Sequence, residues 1–235
     1  MNILSFVYCE ILKAYKSSVF RVVTISFIIL PGISLFKYYA AAGINWDLYL
    51  ADVLKNFSSL LIIGFAFTTC WIFGREYTDK TINDLLVKPI PKLCISISKF
   101  IVIFLWNSLL TIIMFTVVVL IGAYVGLIGS RASLILNYFL VFMATSLLTM
   151  FVSMISSFMA NVTKGYLAPI GLIFIIVIII NIVENFKLNA YIPWTIPGLL
   201  ITDGVLSPIS IFILSITGLT GFVGTVAWWR YAEQI

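Results

Sequence analysis

Histidine is absent from this chain of 235 residues, and charged side chains make up only 10% of it. Without histidine, the chain cannot form a histidine-based nucleophilic triad or a histidine-liganded zinc site. It also lacks a GxxxxGK[ST] phosphate-binding loop. The sequence therefore predicts no catalytic, metal or cofactor-binding residue in this chain, and any nucleotide that powers it must bind to another chain.

Apolar residues dominate what is present. The chain is 62% hydrophobic with a mean hydropathy of +1.16, whereas soluble domains carry about 25% charged residues. A helix needs roughly 20 apolar residues to cross a bilayer. The charge-free runs predict an all-α, polytopic membrane protein, a single domain over residues 1–235 with six transmembrane helices near residues 20–40, 54–74, 101–122, 134–157, 166–184 and 207–229.

The first of these spans has a second interpretation. Residues 22–36 also fit the apolar core of a signal peptide, with small residues at 40–42 as its cleavage site. The 21 residues before this run are long for such a segment. We therefore expect an uncleaved span.

Lysine and arginine indicate the orientation of the spans, because cytoplasmic loops carry an excess of both. With both termini in the cytoplasm, ten of these residues lie inside: Lys13, Lys16, Arg21, Arg75, Lys80, Lys88, Lys92, Lys99, Lys164 and Arg230. The four outside are Lys37, Lys55, Arg131 and Lys187. The net charge of +5 then reflects this bias and an attraction to membrane lipid, and requires no nucleic acid. The isoleucine- and lysine-rich composition favours a bacterial cytoplasmic membrane.

Residues 1–18 are expected to form an amphipathic helix. Apolar side chains fill one half of its helical wheel, and polar ones such as Glu10 and Lys13 fill the other. This pattern is typical of a helix that lies in the membrane interface. The alternative is a water-exposed extension of the first span.

Small and hydroxylated residues recur on two of the predicted spans. The fourth span has them on one face at Ser146, Thr149, Ser153 and Ser156. The sixth has Thr217, Gly221 and Thr225 at four-residue spacing. Both patterns fit close packing within one subunit, and both also fit a translocation path or a subunit interface.

The outer segment 185–206 is apolar but interrupted by helix-breaking residues. The residues that mark it are Pro193, Trp194, Pro197 and Gly198. Irregular backbone at membrane depth requires cover from protein or water. We expect a pair of short re-entrant helices; the alternative is an interfacial loop anchored by Trp194.

The segment "GREYTDKTINDLLVKPIPK", residues 74–92, concentrates seven charged residues in one place. We expect Gly74 to end the second span, Thr81 and Asp84 to begin a short helix, and Pro89 to stop it. Such a helix is too short to be stable alone. Either a partner holds it through Ile82, Leu85 and Leu86, or the segment is a solvated loop.

This layout resembles that of type-2 ATP-binding-cassette (ABC) exporter permeases, and in particular bacitracin-resistance, lantibiotic-immunity and peptide-toxin-export permeases. The specific likeness is Gly-Arg-Glu-Tyr at 74–77 followed by Thr81, Leu85 and Leu86. The resemblance implies that residues 75–92 form a coupling segment that docks on a separate ABC ATPase. The docking residues would be Arg75, Glu76, Asp79, Thr81, Ile82, Leu85 and Leu86.

The resemblance also implies the other components. Two permeases, as a homodimer or with a paralogue, would join two ATPases that bind ATP and Mg²⁺. The cargo would be an amphipathic peptide, a peptide antibiotic or a toxin. The alternatives are an ATP-independent carrier or channel and an exporter of another lipid-like or small-molecule drug.

Overall fold

The structure is a computed structural model that describes residues 3–39, 44–82, 85, 91–183 and 188–231. These residues are almost entirely helical, apart from turns and an isolated bridge between Asn45 and Ile128. Along this part of the chain, the α-helices are α1 (Ile3–Lys16), α2 (Ser18–Ile29), α3 (Ile33–Tyr39), α4 (Trp46–Thr78), α5 (Lys92–Val125), α6 (Ala132–Val162), α7 (Leu167–Val183), α8 (Leu199–Thr202) and α9 (Pro208–Tyr231).

Five stretches among the described residues are long and apolar enough to cross a membrane. They are Ser18–Tyr39, which combines α2 and α3, and the helices α4, α5, α6 and α9. The prediction of an all-helical polytopic membrane protein is thereby confirmed. The sixth span, expected near 166–184, corresponds to α7, which has 17 residues and is shorter than the five stretches that qualify. Residues 184–187 lie outside the described part.

The long helices alternate in direction and so define two ends of the bundle. At the end that carries α1, here the α1 end, Glu10 contacts Arg75 of α4 and Lys99 of α5. At the opposite end, here the far end, the Tyr138 hydroxyl of α6 donates to Asp47 Oδ1 of α4 at 2.9 Å. Each long helix therefore runs from one end of the bundle to the other.

Helix α1 is separate from the first long stretch. Ser17 between them has extended backbone angles, and its hydroxyl accepts a hydrogen bond from the Val19 amide as the N-cap of α2. A cap of this kind begins a new helix. The first stretch then bends through a 3-10 turn at Leu30–Gly32, which holds Pro31. The structure thus contains a distinct helix at 3–16 instead of an extension of the first span.

Glycines bring α9 into close contact with α6. A Cβ added to Gly221 would lie 2.3 Å from the Ile155 amide nitrogen, and Gly218 and Gly224 face the rings of Phe151 and Phe158. Only glycine allows two helix backbones to approach so closely. The small residues of the sixth predicted span are therefore used for packing within the chain.

The far-end segment before α9 consists of single turns: 3-10 turns at Asn189–Tyr191 and Ile196–Gly198, followed by α8. Pro197 lies in the first positions of its turn, where a missing N–H is tolerated. Ile196 is buried against Val152 of α6 and Leu214 of α9. The segment thus folds back onto the bundle, but in one-turn pieces instead of the expected pair of helices.

Candidate functional site: a charged hub at the α1 end

Residues 74–77 form part of the last turns of α4. Helix α4 continues to Thr78, and the Asp79 amide still donates to the Arg75 carbonyl at 2.8 Å. The expectation that Gly74 ends the span is therefore wrong. Gly74 is needed for a different reason, because a Cβ there would lie 2.6 Å from the Tyr166 amide nitrogen just before α7.

Arg75 and Glu76 are buried inside the chain, with 8% and 2% of their surface exposed. The Arg75 guanidinium donates to Glu10 Oε2 at 3.0 Å and lies 4.5 Å from the centre of the Trp71 ring. Glu76 accepts from the Lys99 ammonium at 2.7 Å. Neither side chain is on the surface where a docking residue was expected, because buried partners of opposite charge hold both of them.

Lys99 is the centre of this ion cluster, which we define as Glu10, Lys13, Arg75, Glu76 and Lys99. Its side chain is fully buried. The ammonium contacts Glu76 Oε1 at 2.7 Å, Glu10 Oε2 at 3.1 Å and the Ile72 carbonyl at 3.3 Å. An ammonium has three N–H donors, so all three find acceptors. This explains how a lysine can be accommodated without water.

Lys13 closes the ion cluster on its solvent side. Its ammonium lies 2.8 Å from Glu10 Oε1 and 3.4 Å from Glu76 Oε1. Burial raises the pKa of the Glu10 carboxyl, but the positive charges of Lys99, Lys13 and Arg75 outweigh burial and bring that pKa below its usual value. Burial likewise lowers the pKa of Lys13, but Glu10 and Glu76 raise it above its usual value. Both groups are therefore charged at neutral pH.

Tyr77 connects the same turn to the other side of the bundle. Its hydroxyl donates to Asn161 Oδ1 of α6 at 3.2 Å and accepts from the Trp228 indole of α9 at 3.2 Å. Asn161 Oδ1 also accepts from the buried Trp229 indole at 2.9 Å. One turn of α4 is therefore connected to α1, α5, α6, α9 and the residue before α7. We call residues 74–77 the hub.

The hub also holds the first residues that follow α4. The Thr81 hydroxyl donates to Glu76 Oε2 at 2.5 Å. Ile82 is buried in an apolar cluster that includes Phe20, Trp71 and Phe73, and Leu85 packs against the same cluster. Ile82 and Leu85, two residues of the expected apolar ridge, thus face their own chain. Leu86, the third, lies outside the described residues. Thr78, Asp79 and Lys80 are exposed at the turn.

A cavity of about 560 Å³ opens beside the ion cluster. It lies between the last turn of α1, the start of α2 and three residues that follow the hub, Asp79, Thr81 and Leu85. Its walls include Lys13, Lys16, Ser18, Trp71, Asp79 and Thr81. We call this cavity the α1 groove.

A larger cavity, of about 870 Å³, lies at the far end between α4, α6, α7 and the segment of single turns before α9. Trp194, Pro197 and Gly198 line it, together with Thr149. Pro193 is half-buried in the adjoining turn. We call this larger cavity the far cavity. Hydroxyl, amide and charged groups contribute to its walls, as in Asn56, Ser58, Thr202 and Asp203.

The other hydroxyl residues on the face of α6 are packed in the bundle. The Ser146 hydroxyl pairs with that of Thr111 at 2.6 Å. The Ser153 hydroxyl donates to the Met150 carbonyl at 2.7 Å. Ser156 is fully buried, and its carbonyl accepts from the Cys70 thiol at 3.8 Å. Of the four residues predicted on this face, Thr149 lines the far cavity, and a translocation path along this face stays a prediction.

Sequence reasoning missed Glu10 and Lys99 as partners of the hub. The helical wheel assigns Glu10 to a polar face but cannot tell whether water or protein meets it. The signal that could have found Lys99 is its depth, because it lies seven residues into a helix whose one other charged residue is Lys92 at its start. A cation at such a position usually has a buried partner. Among the described residues, no group of three His, Cys, Asp or Glu side chains could hold a metal ion.

Comparison with known proteins agrees with these features. The five stretches that are long and apolar enough to cross a membrane make this chain a polytopic membrane protein. Residues 6–181 match the family described as ABC-2 family transporter protein, and the chain belongs to this family of ABC transporter permeases. It is also similar to the bacitracin transport permease protein BCRB of Bacillus licheniformis, with 25% identity over 143 residues, which cover 60% of this chain and 69% of that protein.

Proposed function

We propose that this chain is the membrane subunit of an ABC exporter that uses a separate ATPase to expel an amphipathic peptide or remove it from the membrane. The family membership supports the permease role. The distant similarity to a bacitracin transport permease supports a peptide antibiotic as cargo. The observation that carries the mechanism is the hub, because it connects one exposed turn to nearly every long helix.

The orientation follows from the charges at the two ends of the bundle. Among the described residues, nine lysines and arginines lie at the α1 end: Lys13, Lys16, Arg21, Arg75, Lys80, Lys92, Lys99, Lys164 and Arg230. Three lie at the far end: Lys37, Lys55 and Arg131. The positive-inside rule therefore favours a cytoplasmic α1 end. Lys88 and Lys187 are outside the described residues.

Helix α7 completes a bundle of six crossings in this proposal. Its 17 residues give a length of about 25 Å, at the lower limit for a span. Tyr166, just before α7, meets Gly74 at the α1 end, and Ile180 lines the far cavity. Six crossings leave both the start of α1 and the end of α9 in the cytoplasm.

The ATPase would dock on the exposed turn formed by Thr78, Asp79 and Lys80. Movement of this turn pulls on Glu76 through the Thr81 hydroxyl. From Glu76 the displacement passes to Lys99 on α5 and, through Glu10, to α1. Separating buried charges has a large free-energy cost. The hub and its partners in the ion cluster therefore move together and transmit nucleotide-driven motion to the spans.

The far cavity would receive the polar part of the cargo on its way out. A volume of about 870 Å³ is within the range of sites for drug-sized ligands. Its walls offer hydroxyl and amide groups that can form hydrogen bonds with a peptide backbone, and one charge of each sign at Lys55 and Asp203. Such walls suit a neutral or zwitterionic polar group better than a strongly charged one.

The proposal is tested by reconstitution with the ABC ATPase that co-purifies with the chain. In proteoliposomes, ATP should drive a labelled amphipathic peptide across the membrane in preference to a hydrophilic peptide of equal length. The chain alone should show neither ATP hydrolysis nor ion conductance. Conductance by the chain alone would support the channel or carrier alternative, and preference for the hydrophilic peptide would refute the assigned cargo.

A further inference from the structure

The α1 groove has a feature that the transport mechanism does not use, namely a pair of lysines on its rim. Lys13 and Lys16 form the basic last turn of α1. Both line the groove, Lys16 is exposed, and 43% of the Lys13 side chain is exposed. Ser17 and Ser18 stand beside them in the wall. The groove is therefore cationic and rich in hydrogen-bond donors on the side of α1.

The acidic residues of the groove do not cancel this charge. Glu76 lines the groove, but the buried ammonium of Lys99 lies 2.7 Å from it. Arg75 also lines the groove and is matched by Glu10 behind the wall. Asp79 is the exposed carboxylate on the opposite rim. Lys13 also pairs with Glu10 at 2.8 Å, but the ion cluster has three cations and only two carboxylates. With Lys16 and Asp79 added, one positive charge remains at the mouth of the groove.

The apolar side of α1 indicates what surrounds the mouth. Leu4, Tyr8 and Tyr15 are strongly exposed, whereas Val7, Glu10 and Ala14 face the chain. A helix that turns large apolar side chains outward next to lysines is suited to the boundary between lipid headgroups and acyl chains. Val22, one turn into α2, is also exposed.

We propose that the α1 groove binds the headgroup of an anionic phospholipid of the same leaflet. The phosphate lies between the ammonium groups of Lys13 and Lys16, within reach of the Ser17 and Ser18 hydroxyls. The acyl chains lie against the exposed apolar surface of α1 and Val22. The occupant is a lipid and not a soluble phosphate, because the cationic rim and this apolar surface adjoin each other.

The bound lipid would also touch the stretch that follows the hub. Thr81 and Leu85 line the same groove, so an occupied groove joins α1 to this stretch. This regulatory part rests on the proposed function: anionic lipid would hold the ATPase-docking turn in place and raise cargo-stimulated hydrolysis. The binding part does not depend on the ATPase.

Binding is tested with the purified chain by native mass spectrometry, titrating phosphatidylglycerol or phosphatidylcholine. Phosphatidylglycerol should bind more tightly, and Lys16→Gln should weaken that binding about fivefold, the effect expected of one lysine near an anionic surface. Lys92→Gln, a change of the same type at the start of α5, should have no effect. Lys16 is outside the ion cluster, and unchanged thermal unfolding of Lys16→Gln will verify that the fold is intact.

Three results would overturn the binding proposal: equal binding of the two lipids, equal binding by the wild type and Lys16→Gln, or displacement of the lipid by glycerol phosphate at matched concentration. The last result would make the groove a site for soluble phosphate. The regulatory part is tested with the ATPase complex, where phosphatidylglycerol should stimulate hydrolysis in the wild type but not in Lys16→Gln. Lipid binding without stimulation would overturn regulation alone, and failure to assemble with any ATPase would instead refute the proposed function.

Discussion

The ammonium of Lys99 lies 2.7 Å from Glu76 Oε1, and both side chains are buried in the chain. This pair joins the start of α5 to the last turn of α4. The pairing changes the meaning of the charged motif at 74–77, because its charges hold helices of one subunit together. Among the described residues of this segment, Thr78, Asp79 and Lys80 are exposed after the motif, and the proposed function assigns the ATPase to this turn.

Lys99→Met should destabilise the protein strongly. The change keeps an apolar stem of similar length but leaves the carboxylates of Glu10 and Glu76 short of a buried counter-charge. Breaking a buried ion pair from one side costs about 3–5 kcal/mol, so the thermal unfolding temperature in detergent should fall markedly. Lys92→Met, at the half-buried start of the same helix, is the matched control. Equal unfolding temperatures for the two variants would contradict the role given to Lys99.

The ion cluster should also make stability depend on pH on the acid side. The pKa of Glu10 in the folded chain lies below its ordinary value of 4.5. As the pH falls, the Glu10 carboxyl is therefore protonated first in the unfolded chain. The stabilisation that ionised Glu10 gives the folded chain is complete above about pH 4.5 and is lost as the pH falls through the pKa of the folded chain. Unfolding temperatures measured from pH 7 downward should fall less steeply for Glu10→Gln than for the wild type. Ser156→Ala, a buried change that removes no titratable group, should leave the steepness unchanged.

The sequence was sufficient for the parts of the fold that local patterns determine. Charge-free runs located the long helices, and the helical wheel located α1 with its exposed Leu4 and Tyr8. Periodicity also identified Gly221 among the small residues, although only the structure shows that it faces Ile155. In each case the signal lies within one helix and needs no knowledge of its neighbours.

The candidate site was less predictable because its key contacts join distant parts of the chain. Glu10 and Lys99 are 89 residues apart, and no local sequence pattern in either segment identifies the other residue as its partner. The family resemblance implied that Glu76 docks on a separate ATPase, which would require an exposed side chain. Its burial depends on cations from α1 and α5, which only the three-dimensional arrangement reveals. The same holds for Ile82, whose apolar side chain found a partner inside the chain.

Gly221→Ala should force α6 and α9 apart. The new Cβ would lie 2.3 Å from the Ile155 amide nitrogen, and backbone atoms at this distance cannot be relieved by a rotamer change. Overpacking of this kind costs about 1–3 kcal/mol or more, visible as a lower unfolding temperature. Gly171→Ala in α7 is the control, since nothing lies within 4 Å of its added Cβ. It should be neutral or slightly stabilising, because alanine favours helices.

Exchanging the charges of Asp79 and Lys80 should weaken capture of the ATPase. The double variant Asp79→Lys with Lys80→Glu keeps the net charge and the exposed positions but reverses the local field of the proposed docking turn. Each exposed ion pair with a partner contributes up to about 1 kcal/mol, so we expect a several-fold loss of co-purified ATPase. Lys92→Glu, which lies outside the turn, should retain it. Full capture by the exchanged variant would show that the turn is not the docking surface.

The far cavity is tested through Thr149, the member of the α6 hydroxyl face that lines it. The Thr149 hydroxyl donates to the Thr145 carbonyl at 2.8 Å, so its oxygen can only accept a hydrogen bond from a cargo. Thr149→Val keeps the shape of the side chain and removes that acceptor, and the lost hydrogen bond is worth about 0.5–1.5 kcal/mol. The cargo concentration that half-saturates stimulated ATP hydrolysis should rise about two- to tenfold, with the basal rate unchanged. Ser156→Ala is the control on the same face, because Ser156 is fully buried away from the cavity. If both variants shift the half-saturating concentration equally, the effect comes from packing of α6, and the far cavity is not where the cargo binds.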